Sequence, residues 1–235
     1  MSVNHIELSL EEIRHHLEGS NINVFGFLDN TKASEFYIRT QFIQDDDFSW
    51  TTIVPYIYRR TGLELKNEKD IADYLKSVKK YFTKDWMDSW VKEEKKECLA
   101  DIEAKKKQNA DKEARGKKAS EIVTPYVLLP LFSLKECNNK TELPPNPNLQ
   151  RRLQSLKDSG YTIAIVQYGR EKTTSTLLPF PKYKEMGYET FTKQFKARVI
   201  RLLKQRNAFE ARETSAKSLI PDHKFSEVRW DKETK

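Results

Sequence analysis

Apolar residues recur at helical spacing near the amino end. Leu8 and Leu10, followed by Ile13 and Leu17, predict a helix over 7–18. Ser9 as N-cap and Glu12 three residues on complete a capping box, and Gly19-Ser20-Asn21 ends the helix. Residues 22–28 and 35–43 are rich in Ile, Val, Phe and Tyr and predict two strands. Asp29-Asn30-Thr31-Lys32 supplies the turn of a hairpin. Asp45-Asp46-Asp47 reads as a solvated turn, because it lacks the glycine and terminal Glu of a calcium loop.

From Glu68 to about Ala119 the pattern is again helical. Ile71, Tyr74, Leu75, Val78, Tyr81 and Phe82 form a stripe that Trp86, Met87, Trp90 and Val91 continue. Beyond Lys92 the apolar residues thin to Cys98, Leu99 and Ile102, and Lys, Glu and Ala take over. That part reads as an exposed helix, a helical linker or a partly disordered arm. Lys105-Lys106-Lys107 and Lys117-Lys118 in it are able to touch phosphate, although the interleaved acids favour plain solvation. Pro125 and Pro130 interrupt the apolar run 121–134, which predicts extended or packed-turn structure there.

Asn148 caps a predicted helix with Leu149, Leu153 and Leu156 on one face. Arg151, Arg152, Gln154, Ser155 and Lys157 cover most of the remainder, and Gly160 ends it. A strand over 161–168, a turn over 169–174 and a return strand over 175–178 follow. A basic helix leading into a hairpin with a charged tip is the outline of a winged helix-turn-helix. In that geometry the helix lies in the major groove and the tip rests on phosphate. The candidate DNA contacts are then Arg151, Arg152, Gln154 and Lys157 on the helix and Arg170 and Lys172 at the tip. An ordinary amphipathic helix joined to a hairpin fits the same spacing. A second basic helix over Glu189–Glu213 places Phe191, Phe195, Val199, Leu202 and Leu203 on one face. Lys196, Arg198 and Arg201, on its other faces, are further candidate contacts.

Composition agrees with a polyanion partner without demanding one. The chain of 235 residues has formal charge +7 and pI about 9.1, and its mean hydropathy of −0.76 is polar for one globule. Cys98 and Cys137 are too far apart for a CxxC, and no disulfide framework is expected. With no signal-peptide pattern and no apolar run approaching 18 residues, the expectation is a soluble, cytoplasmic protein without membrane contact.

The carboxyl end carries the candidate chemistry. Leu219-Ile220-Pro221 runs into Asp222-His223, with Phe225, Val228 and Trp230 beyond as anchors. An adjacent carboxylate and imidazole can divide one task, the first holding a hard cation and the second taking a proton from water. The run Ile-Pro-Asp-His-Lys-Phe…Arg-Trp-Asp resembles the opening of the HNH (ββα-metal) domain of type II restriction endonucleases. The resemblance covers about eighteen residues. It implies His223 as general base, Asp222 as metal ligand and a divalent cation, Mg²⁺, as cofactor. It also implies double-stranded DNA as substrate. The chain stops twelve residues after His223, so the rest of the module, with its Asn and His ligands, is expected outside this sequence.

The same tail spells PD-x(10)-ExK through Pro221-Asp222 and Glu233-Thr234-Lys235, the pattern of the other large nuclease superfamily. There the lysine would be the chain-terminal residue, and Trp-Asp-Lys-Glu-Thr-Lys does not read as a core strand. The expected class is α+β. A mixed N-terminal domain spans 1–91, a charged helical linker 92–120 and a winged-helix-like DNA-binding unit 121–185. A basic connecting helix spans 186–213, and the start of an HNH module 214–235. Two other classes fit more loosely: a non-catalytic winged-helix regulator, and a basic adaptor that binds proteins through 92–118. A palindromic target would call for a homodimer.

Overall fold

The structure, a computed structural model, describes residues 8–30, 32–169, 172–183 and 193–202. Ser9 caps helix α1 (Leu10–His16) by accepting from Glu12 N at 3.3 Å. The reciprocal bond of the expected capping box is made by a distant residue. Ser9 N donates to Glu68 Oε1 at 2.9 Å, at the start of α2 (Glu68–Val78), which locks the two helices together.

Strands β1 (Ile22–Asn30), β2 (Glu35–Ile43), β3 (Ser49–Tyr58) and β4 (Leu63–Glu64) form an antiparallel sheet in chain order. Residues 49–58 carry no expected element, yet β3 is the longest strand among the described residues and sits inside the sheet. Alternation gives β2 two buried sides. Phe36, Ile38 and Phe42 enter the main core with Ile13, Ile71 and Leu75, while Tyr37 packs with Ile53, Tyr58, Ala164 and Val166. Asp45 Oδ1 accepts from Asp47 N and Phe48 N, so the triple-aspartate segment is a turn, as expected.

The helix expected over 68–119 is two helices. A 3₁₀ turn (Lys79–Phe82) ends α2, and Thr83 caps α3 (Lys84–Ala114) by accepting from Trp86 N. The break lets Phe82 stack on Phe42, with ring centroids 4.3 Å apart. Residues 92–114 continue α3 rather than forming a separate linker, and Cys98 and Ile102 are buried. Helix α4 (Thr124–Leu131) occupies the segment expected to be extended or packed-turn structure. Pro125 sits in its first turn, where the amide has no helical partner, and Pro130 lies in the last turn.

Strand β5 (Cys137–Asn138), helix α5 (Leu149–Asp158) and strands β6 (Ile163–Tyr168) and β7 (Lys172–Leu177) follow. The three strands form a second antiparallel sheet in the order β5-β7-β6. The chain is therefore of mixed α+β class with antiparallel sheets. Residues up to 184 make one compact unit that spans the expected boundaries at 91/92 and 120/121. A second unit begins at 185, and in it α6 (Lys193–Leu202) is described. Cys98 and Cys137 are unbonded thiols, and no described helix is long and apolar enough to cross a membrane.

Candidate nucleic-acid interface

Helix α5 is fixed by its ends and by one buried stripe. Asn148 makes no side-chain cap, contrary to expectation, and Asn146 Oδ1 instead takes the Asn148 N–H at 2.8 Å. At the other end Tyr161 N donates to Leu156 O and Gly160 N to Lys157 O, the paired bonds of a Schellman stop. Gly160 has φ +93°, and a Cβ there would lie 2.5 Å from Tyr183 O. Only glycine satisfies both conditions.

The stripe contains Leu153, Leu156 and, contrary to expectation, Lys157. Lys157 is not a groove-facing cation. Its ammonium donates to both carboxylate oxygens of Glu35, at 2.9 and 2.8 Å, and lies 4.9 Å above the Tyr58 ring. Tyr37 Oη donates to the same carboxylate at 2.5 Å. Burial pushes the Lys157 pKa down while Glu35 opposes the shift, and burial drives the Tyr37 and Tyr58 phenols well up. Position dictates this burial, since Lys157 follows Leu153 by four residues and Leu149 by eight.

The phenols join the two sheets. Ile163 N donates to Tyr58 Oη at 3.3 Å, and Ile165 N to Tyr37 Oη at 3.2 Å. Leu178 N donates to Thr162 O, so alternate β6 residues bond toward β7, and Ile163 and Ile165 turn their amides to the other edge. The far end of β6 is tied down separately. Arg39 Nη2 donates to Tyr168 Oη at 2.5 Å and to Glu136 Oε2 at 3.1 Å, while Thr174 Oγ1 donates to Glu136 Oε1 at 2.7 Å. Burial works against the Glu136 charge, but the hydrogen bonds from Tyr168, Thr174 and Arg39 outweigh it and hold the carboxyl below its usual range.

On the outward side of α5, Gln150, Arg151 and Gln154 are exposed and Arg152 is half-buried. Arg60, which the sequence analysis does not single out, lies beside them. Its guanidinium pairs with Asp158 at 2.5 Å and, with the Gln154 amide oxygen turned toward it, donates from Nε at 3.0 Å. The signal for Arg60 is slight: an Arg-Arg pair ahead of Thr61-Gly62, where Gly62 takes φ +68°. Lys172 is exposed where β7 begins, its ammonium 5.5 Å above the Tyr168 ring.

Thus Arg151, Gln154 and Lys172 are exposed on a helix and a hairpin that other side chains anchor. Such a surface suits phosphate and base edges. In the second unit, Arg198 and Arg201 are exposed one turn apart on α6. Arg170, the side chain of Lys196, and Asp222 and His223 lie outside the described residues, as does the PD-ExK pattern. Among the described residues no three His, Cys, Asp or Glu side chains gather as a metal site. No family model, curated protein or solved structure matches the chain.

Proposed function

We propose that the chain acts in a restriction system as a sequence-specific, metal-dependent endonuclease on double-stranded DNA. The observation that carries the recognition half is the path α4–β5–α5–β6–β7 with strand order β5-β7-β6. It sets α5 immediately before a hairpin in a three-stranded sheet, with Arg151 and Gln154 outward and Lys172 at the hairpin end. This order supports a winged-helix reading, with α5 as the groove helix and the segment between β6 and β7 as the wing.

The nuclease half rests on the resemblance of the Asp222-His223 run to HNH enzymes. The donor set suits a hard divalent cation such as Mg²⁺, because the residue offered is a carboxylate. Asp222 would hold that cation, whose contribution when bound is to offset charge on the phosphate. His223 accepts a proton from the attacking water. Loss of a general base typically lowers rate by about 10²–10⁴.

The test compares supercoiled-plasmid cleavage and duplex binding for the unaltered protein, its His223→Ala variant and its Asp222→Asn variant. Both variants should bind DNA and fail to cut it. Metal-dependent cutting that survives both substitutions rejects the HNH assignment. Binding without cutting in the unaltered protein makes it a non-catalytic regulator.

A further inference from the structure

Helix α3 extends well past the core. Ile102 is its last buried residue, and twelve more residues carry it to Ala114, roughly 18 Å at 1.5 Å per residue. No apolar burial rewards that extension. The end is nevertheless built, because the returning chain is clasped to it. Asn109 Nδ2 donates to Ser120 O at 2.6 Å, Ser120 N donates to Asn109 Oδ1 at 2.9 Å, and Lys112 Nζ donates to Ser120 Oγ at 2.8 Å. Gly116, at φ +69°, makes the reversal.

Charge along α3 is segregated. Up to Glu103 lysines and acids are mixed, whereas from Ala104 to Ser120 the only acids are Asp111 and Glu113. Lys105 and Lys106 there are already engaged by Asp101 and Glu103. Lys107, Arg115, Lys117 and Lys118 are exposed and, among the described residues, have no ion-pair partner. An extended helix needs no such excess of one sign for solubility, and the mixed half of the same helix shows the alternative.

We propose that this tip is a second, sequence-independent contact to the phosphate backbone of double-stranded DNA, separate from α5 and the hairpin. The inference rests on the DNA-binding reading above and adds an electrostatic arm to it. Four free cations on a clasped support match a line of phosphates, and each neutralised phosphate releases counterions.

The experiment measures affinity of the full chain for a random-sequence duplex across a salt series. One variant carries Lys107→Gln, Arg115→Gln, Lys117→Gln and Lys118→Gln. A control of equal charge loss carries Lys66→Gln, Lys69→Gln, Lys76→Gln and Lys80→Gln on and beside α2. The arm variant should lower the slope of log K against log salt by about 2–4, at about 0.9 per lost contact, and the control should leave it unchanged. Duplex binding with an unchanged slope in the arm variant, or an equal fall in the control, overturns the arm and leaves the DNA-binding reading standing. Failure of the unaltered protein to bind any duplex overturns both.

Discussion

Lys157 and Glu35 lie 122 positions apart in sequence, yet their side chains form a buried ion pair at 2.8 Å, only 3% and 5% exposed. The pair joins α5 to β2, and so couples the candidate recognition helix to the N-terminal sheet. Removing one member strands the other charge in the interior, which typically costs about 3–5 kcal/mol. Lys157→Met should therefore lower unfolding free energy in urea by that order. Adding Glu35→Gln should recover part of the loss, because the stranded carboxylate is gone. A Lys157→Met loss below about 1 kcal/mol, the size of an exposed pair, would refute the coupling.

Arg151 and Lys172 are expected to do different work on DNA. An arginine placed bidentately on guanine discriminates by roughly 1–3 kcal/mol, whereas a phosphate contact weakens all sequences alike and lowers the salt slope by about one. Arg151→Ala should reduce the ratio of affinities for a selected site and a random duplex. Lys172→Ala should leave that ratio alone and flatten the salt dependence. If Arg151→Ala leaves the ratio intact, α5 does not read bases.

Glu136 gives the hairpin base a defined acid response. Its folded pKa lies below the ordinary value of 4.5, so its stabilisation is complete above 4.5 and is lost as pH falls through the lowered value. The difference in Tm between the unaltered protein and Glu136→Gln should be largest near neutral pH and shrink on acidification. A difference that stays constant or widens in acid would show that Glu136 is not held ionised by Arg39, Tyr168 and Thr174.

Local pattern made much of this legible. Helical spacing locates α1 and α5, because each has one face that must be buried, and β-favouring runs bounded by turn residues locate β1, β2 and the β6–β7 pair. Strand β3 is not picked out in that way, because Pro55, a residue ordinarily kept out of interior strands, lies within its buried run Thr52 to Tyr56. The α2–α3 break is hidden because the apolar stripe continues through the 3₁₀ turn, and Thr83 is the single local mark of a new cap. Glu68 completing the cap of α1, and Glu35 receiving Lys157, are long-range pairings that no local period encodes. For the site, polarity indicated the exposed Arg151, Gln154 and Lys172, but assigned Lys157 outward against its own helical position.

The phenols of Tyr37 and Tyr58 have a consequence for association. Strand β6 ends its sheet, and such an edge ordinarily offers amides to whatever strand arrives, its own kind included. Here two hydroxyls occupy the amides of Ile163 and Ile165 in place of a fourth strand. An arriving strand would therefore find these two donors already taken, and that stretch of the edge offers it no amide to pair with.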